Sequence, residues 1–267
     1  MRARWRGWLV GLLVAPAFLA PSILGAQELA ERIGGMADGT VRLTYPARPD
    51  VEICDQGVRM GQNRMMWHSR GWVEEATNCR VGWVEIEAAI RDGSVDHVKL
   101  VRKLTARTAD ALDLGRVGAR EAVVFLLDAA RNGDRARRGE EDAIFPIILA
   151  DTDGVWRELL VLARDRSVAD EVRTTSLFWV GQEAAEVVSK GLTEVALDEE
   201  ENQEVREAAV FALSQRPAPE GIPALMQVAR TAREAETRRS AMFWLAESED
   251  ERVYAFFEEI LLGRGGG

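Results

Sequence analysis

The tightest constraint on this chain is a phrase it writes three times: SLFWVGQ at 176–182, AVFALSQ at 209–215 and AMFWLAE at 241–247. The copies stand 33 and 32 residues apart, a period that signals an array of helical hairpins. Val172-Arg173, Val205-Arg206 and Thr237-Arg238 precede Phe178, Phe211 and Phe243 in one register, and an earlier pair, Ala119-Arg120, stands likewise before Phe125. Between the copies lie second-helix segments: VVSKGLTEVAL (187–197), PEGIPALMQVART (219–231) and ERVYAFFEEILL (251–262). A hairpin of this kind cannot bury its apolar face alone, so neighbouring units must stack.

Within a copy the first, fifth and ninth residues, such as Val205, Ala209 and Leu213, form one helical stripe that meets the partner helix, and the Phe falls nearly opposite. Two roles follow for the aromatic residues. They are either core between adjacent repeats, or Phe178, Trp179, Phe211, Phe243 and Trp244, with Gln182 and Gln215 beside them, line a concave groove that holds apolar side chains of a protein or peptide partner. Arg120, Arg173, Arg206 and Arg238 make a second ladder, expected to bond acidic or carbonyl groups at the turn before each helix, with Asp170, Glu204 and Glu236 nearby to accept; binding of an anionic ligand is the alternative. The acidic run DEEEN (198–202) reads as a solvated turn and helix start, where carboxylates suit the helix dipole. DTDG (151–154) lacks the later ligands of a calcium loop.

The first 26 residues differ from everything after them. Arg2, Arg4 and Arg6, an apolar stretch from Trp8 to Ala20, and Leu24-Gly25-Ala26 have the layout of a secretory signal peptide cleaved before Gln27, with an uncleaved anchor as the alternative. The apolar stretch is shorter than the roughly 20 residues of a spanning helix. Loss of three arginines with the leader takes the formal charge from −10 to −13, a balance that repels nucleic acid and anionic lipid. Export to a periplasmic or extracellular space also decides the reading of Cys54 and Cys79, since an oxidising compartment favours a disulfide.

From Thr40 to about Arg102 the period is two. TVRLTY puts Val41, Leu43 and Tyr45 on one face, and two β-rich runs flank Asp92-Gly93, a hairpin signal. Residues 27–103 are expected to form a small antiparallel β domain, 104–263 the helical array, and 264–267 a disordered tail.

Parts for chemistry are few. The chain has two histidines, His68 and His97, and no nucleophile elbow, CxxC pair, HExxH or phosphate loop, so no catalytic residue, metal ligand or cofactor is assigned. Met60, Met65, Met66 and His68 are a ligand set for Cu(I), but the spacing is irregular and methionine is also a common gap-filler.

The stretch from Glu204 to Leu261, with its Val-Arg start, small residue and Phe-Trp-Leu segment, resembles HEAT-like repeats of bacterial exported or envelope-associated proteins. The resemblance covers residues 155–262 and extends in degenerate form to about 108. It implies an all-α solenoid of HEAT-like hairpins, α+β overall once the β domain is added, and a non-enzymatic interaction or scaffolding role. The alternatives are a metal-binding or sensing protein with the β domain as sensor, and an enzyme in which such repeats position a chromophore.

Overall fold

The computed structural model describes residue 29 and residues 31–60, 65–67, 78–132, 143–183 and 187–262. The expected leader, its cleavage point and the C-terminal tail lie outside these residues. Among the described residues a short helical stretch at Leu29 and residues 31–34 precedes eight strands: β1 (Asp38–Pro46), β2 (Val51–Cys54), β3 (Gly57–Met60), β4 (Met65–Trp67), β5 (Arg80–Val81), β6 (Trp83–Arg91), β7 (Ser94–Leu100) and β8 (Leu112–Arg116). Among the described residues after them are nine α-helices: α1 (Ala119–Asn132), α2 (Ile144–Ile148), α3 (Val155–Arg164), α4 (Asp170–Gly181), α5 (Val187–Ala196), α6 (Gln203–Ser214), α7 (Ala218–Thr231), α8 (Ala235–Ala246) and α9 (Glu251–Leu261).

The strands make two four-stranded sheets, ordered β7-β6-β1-β8 and β4-β3-β2-β5. In the first, the alternation in TVRLTY does what the period requires: Val41, Leu43 and Tyr45 are fully buried, and Val84, Ile86 and Ile90 of β6 join them. The β6–β7 hairpin turns at Asp92 and Gly93, both at positive φ (49° and 72°), the backbone that a two-residue hairpin demands. Antiparallel pairing of β1 with β6 runs from Asp38 opposite Arg91 to Pro46 opposite Trp83. The second sheet is therefore an excursion between two paired strand ends. The disulfide Cys54–Cys79 staples it, joining the end of β2 to the residue before β5.

In one respect the sheet exceeds the alternating stretch. The switch to helical period is read after Lys103, yet β8 lies beyond it and pairs with β1 in parallel, which makes the first sheet mixed. LDLGR hides this strand because it is an edge, exposed along nearly all its length and so free of any apolar alternation. A short 3-10 turn, Leu104–Ala106, and the residues after it form a strap over the sheet's outer face. Glu85 and Glu87 of β6, both buried, hold it there. Arg107 clamps Glu85 with two hydrogen bonds; the Thr108 hydroxyl donates to Glu87 at 2.7 Å and Arg42 donates to Glu87 at 2.7 Å. Burial pushes the Glu87 carboxyl up, but the hydrogen bonds from Arg42 and Thr108 outweigh it and hold the group below the usual carboxylate range.

Strands and helices share one hydrophobic core. Helix α1 packs on β1 and β7, the Tyr45 hydroxyl donates to the Pro146 carbonyl at 2.8 Å, and Ala47 bridges to Ala150. From α3 onward the helices alternate as second and first members of hairpins, with first helices α4, α6 and α8 packed side by side. Small residues permit the closest approaches: a Cβ on Gly181 would lie 2.9 Å from the Ala212 carbonyl oxygen, and one on Gly221 2.6 Å from that of Leu213.

Candidate functional site

Each first helix buries one stripe, and α6 also starts on a side-chain cap. Asn202 caps α6 by accepting from the Val205 amide at 3.0 Å, and Val205, Ala209 and Leu213 are fully buried, as the sequence stripe requires. The same positions in the neighbours, Ser176 with Val180 and Ala241 with Leu245, are equally inaccessible.

Opposite that stripe the aromatic residues form a continuous row. Phe145 meets Trp179 at 5.5 Å between ring centroids, Trp179 meets Phe178 at 4.9 Å, and Phe178 stacks on Phe211 at 6.3 Å with an interplanar angle of 8°. Phe211 then meets Trp244 at 5.1 Å, and Trp244 meets Phe243 at 5.1 Å. The residue after each Phe sets the geometry. Trp179 and Trp244 each fill the slot toward the preceding helix, whereas Ala212 leaves that slot empty, so Gly181 closes on it and the two Phe rings stack directly. Four of the rings named from the sequence, Phe178, Trp179, Phe211 and Trp244, are half-buried, and Phe243 is 54% exposed. Neither of the two sequence readings describes this alone: the rings pack between repeats and also present an edge to solvent. Gln182 and Gln215 stand exposed at the C-terminal ends of α4 and α6, beside the row. Phe125, in register with these rings by sequence, is half-buried on α1, and among the described residues the row begins where Phe145, in the short helix α2, meets Trp179.

Below the row runs a polar seam. Arg173, 2% exposed, donates to the Ala163 carbonyl at 2.9 Å, to Asp170 at 3.1 Å and to Glu201. Arg206 donates to the backbone carbonyl of Glu201 and to the Thr237 hydroxyl at 3.2 Å, which carries the seam into α8. The arginine ladder is thus structural for Arg173 and Arg206, with Asp170 an acceptor as expected. Arg206 and Arg238 take carbonyls of the turn before their own helix, the other kind of acceptor expected, in place of Glu204 and Glu236. Glu236 pairs with Arg239 and not Arg238, which bonds the carbonyls of Ala232 and Arg233; Arg206 takes the Glu201 carbonyl and Thr237, with no bond to Glu204 among the described contacts. Arg120, at the surface, pairs with Glu158.

The acidic run 198–202 is likewise more than a solvated turn. Glu201 is buried on Arg173, while Asp198 and Glu200 reach Arg166 and Glu199 reaches Arg233. A residue that sequence reasoning passed over completes the seam: buried Arg216 donates to the carbonyls of Gly181 and Glu183 at the end of α4, to the Ser189 hydroxyl at 3.1 Å and to Glu220 at 2.5 Å. Its guanidinium holds the Glu220 carboxyl below the usual range. Its position just after the Phe helix is the only signal that could have marked it.

In the β region Glu52, Cys54 and Cys79 place ligand-type atoms within 4.8 Å of one another, but both sulfurs are in the disulfide and offer no thiolate. Met60 is half-buried at the end of β3, Met65 and Met66 lie in β4, and His68 is outside the described residues. His97 sits half-buried in β7, its Nδ1 3.2 Å from Asp96. Among the described residues no helix is long and apolar enough to cross a membrane.

Residues 189–264 match the family model described as HEAT repeats. No curated protein and no solved structure matches the chain. Residues 189–264 are thus a HEAT-like repeat region, in a chain whose mixed β region is followed by a series of helices. HEAT repeats generally mediate protein–protein interaction or scaffolding and are typically non-enzymatic.

Proposed function

We propose that the protein is an exported interaction or scaffolding module that holds a protein or peptide partner on the face built by α4, α6 and α8. The observation that carries this reading is the aromatic row, continuous from Phe145 to Phe243 yet open to solvent along its edge. Rigid aromatic anchors backed by a fixed seam are what a binding surface uses, because they cost little ordering entropy on association. Export is supported by the leader pattern of residues 1–26, and by the Cys54–Cys79 bond, which suits an oxidising compartment.

Site-specific photo-crosslinking in full-length protein expressed in its own host tests the face. A crosslinker in place of Gln215 or Phe243 is expected to trap one protein species that a crosslinker in place of Tyr254, exposed on α9, does not trap. Trp179→Ala and Trp244→Ala should each reduce the yield. Adducts from the β region alone, unaffected by the Trp changes, would leave the array as a spacer. Export is tested on the same material: the mature chain should begin near Gln27 and show no free thiol after denaturation.

A further inference from the structure

The aromatic face also has a sign. Counted by helical turns from each Phe, the surface positions toward the N-terminal end carry Glu204 and Glu207 on α6 and Glu236 on α8. Glu204 and Glu236 are exposed, and Glu207 accepts from the neutral Gln203 side chain. The cation at these positions is Arg239, already held by Glu236. Toward the C-terminal end come Gln182, Gln215 and Glu247, all exposed. The arginines that begin α4 and α6, and Arg216 after α6, are buried in the seam. On α6 the array therefore draws its cations inward and leaves Glu204 and Glu207 beside the rings.

We infer that the occupant of this face is a cationic amphipathic segment of another protein, with apolar side chains along the aromatic row and Lys or Arg directed to Glu204 and Glu207. This rests on the reading of the face as a binding surface and adds the chemistry of what it binds. Rings and carboxylates are one to two helical turns apart, about 5–11 Å, a span that a Lys or Arg side chain bridges with its stem on the apolar surface and its head at the carboxylate. A ring face attracts the same cation. An acidic segment would meet like charge at the row and across a chain of formal net charge −10. A neutral apolar segment would fill the row and gain nothing from the carboxylates.

Calorimetric titration of the full-length protein with three synthetic peptides on one leucine frame tests the inference, the polar positions being Lys, Gln or Glu. The Lys peptide should bind at least about tenfold more tightly than the Gln peptide, with an affinity that falls as salt rises, and the Glu peptide should not bind. Glu204→Gln with Glu207→Gln should weaken the Lys peptide about fivefold, the effect of two rim charge pairs. The same charge change on α9, Glu251→Gln with Glu258→Gln, should leave it unaltered. Equal binding of Lys and Gln peptides, equal effects of the two double variants, or no binding of any peptide would overturn the inference. If both peptides bind equally and Trp244→Ala weakens both, the face still binds and only the charge assignment fails. If Trp244→Ala changes nothing, the face itself is wrong.

Discussion

The sheet region and the helical array both bury ion pairs, but to different ends. In the sheet, Glu85 and Glu87 take Arg107 and Thr108, 21 or 22 residues further along, and so fold one strap back onto its own neighbourhood. In the array, Arg173 reaches Glu201 across 28 residues and Arg206 reaches Thr237 across 31, close to one repeat period. The first arrangement closes a region on itself; the second fastens each repeat to the next. In a stacked fold, stability is approximately a sum of unit terms and nearest-neighbour terms. Here the directional neighbour terms lie deep in the seam, which leaves the aromatic row above it fixed in register while its edge stays open.

The comparison breaks most severely at Arg173. Arg173→Met removes one partner of a buried pair and leaves the Glu201 carboxylate without its guanidinium, a change expected to cost about 3–5 kcal/mol in urea denaturation. Arg173→Met with Glu201→Met should recover much of that loss, because no unpaired charge remains. A single variant as stable as the wild type would mean that the seam does not fasten the repeats.

The next largest effect belongs to the sheet region. Replacing both Cys54 and Cys79 by Ser opens a loop with a sequence separation of 25 and is expected to cost about 3 kcal/mol in the chain-entropy model. Hydrogen exchange should rise first in β2, β3 and β5, with α6 to α8 protected as before. Simultaneous loss of protection in α6 to α8 would show that the shared core binds strands and repeats into one cooperative unit.

Much of this architecture was legible because it is periodic. Val41, Leu43 and Tyr45 announce a strand by period two, Asp92-Gly93 a hairpin, and the Phe register the stacked helices. What escaped depends on partners that only stacking brings together. Glu201 looks like its acidic neighbours until Arg173 of the previous repeat lies against it, and Arg216 shows its role only beside the end of α4. The row's first ring is absent from the sequence reading for the same reason, since Phe145 lies in a five-residue helix too short to show a period. At the candidate site the sequence named the rings and the glutamines, but their half-exposure follows from the Trp179, Ala212, Trp244 alternation acting between helices.

Acid should test one carboxylate in each region. Glu87 is held below its ordinary value, so its contribution is complete above the ordinary carboxylate pKa, about 4.3, and is lost as pH falls through the lower folded value. Asp250, which caps α9, is lowered to about 2 by the Arg252 hydrogen bonds. Hydrogen exchange followed from pH 6 downward should therefore show the strap over β6 and the first turn of α9 each loosening only below the ordinary carboxylate range. Glu87→Gln should flatten the acid slope of stability measured for the strap and leave that of α9 alone. An acid slope of the strap unchanged in Glu87→Gln would mean that this carboxylate does not set it.

The smallest effect tests the array against itself. Phe211 lies between Phe178 and Trp244 and is half-buried, so Phe211→Ala is expected to cost about 2 kcal/mol, below the roughly 3–5 kcal/mol of a fully buried Phe. Phe243 ends the row at 54% exposure with Trp244 as its ring neighbour, and Phe243→Ala should stay within about 0.5 kcal/mol of wild type. If the row exists for packing, the exposed ring at its end has no task, and its loss should be silent in every assay. If the row exists to hold a partner, the same variant keeps its denaturation midpoint and loses affinity. Equal destabilisation by both changes would instead place Phe243 in a core that the open end of the row does not show, and would return the aromatic residues to the purely structural role.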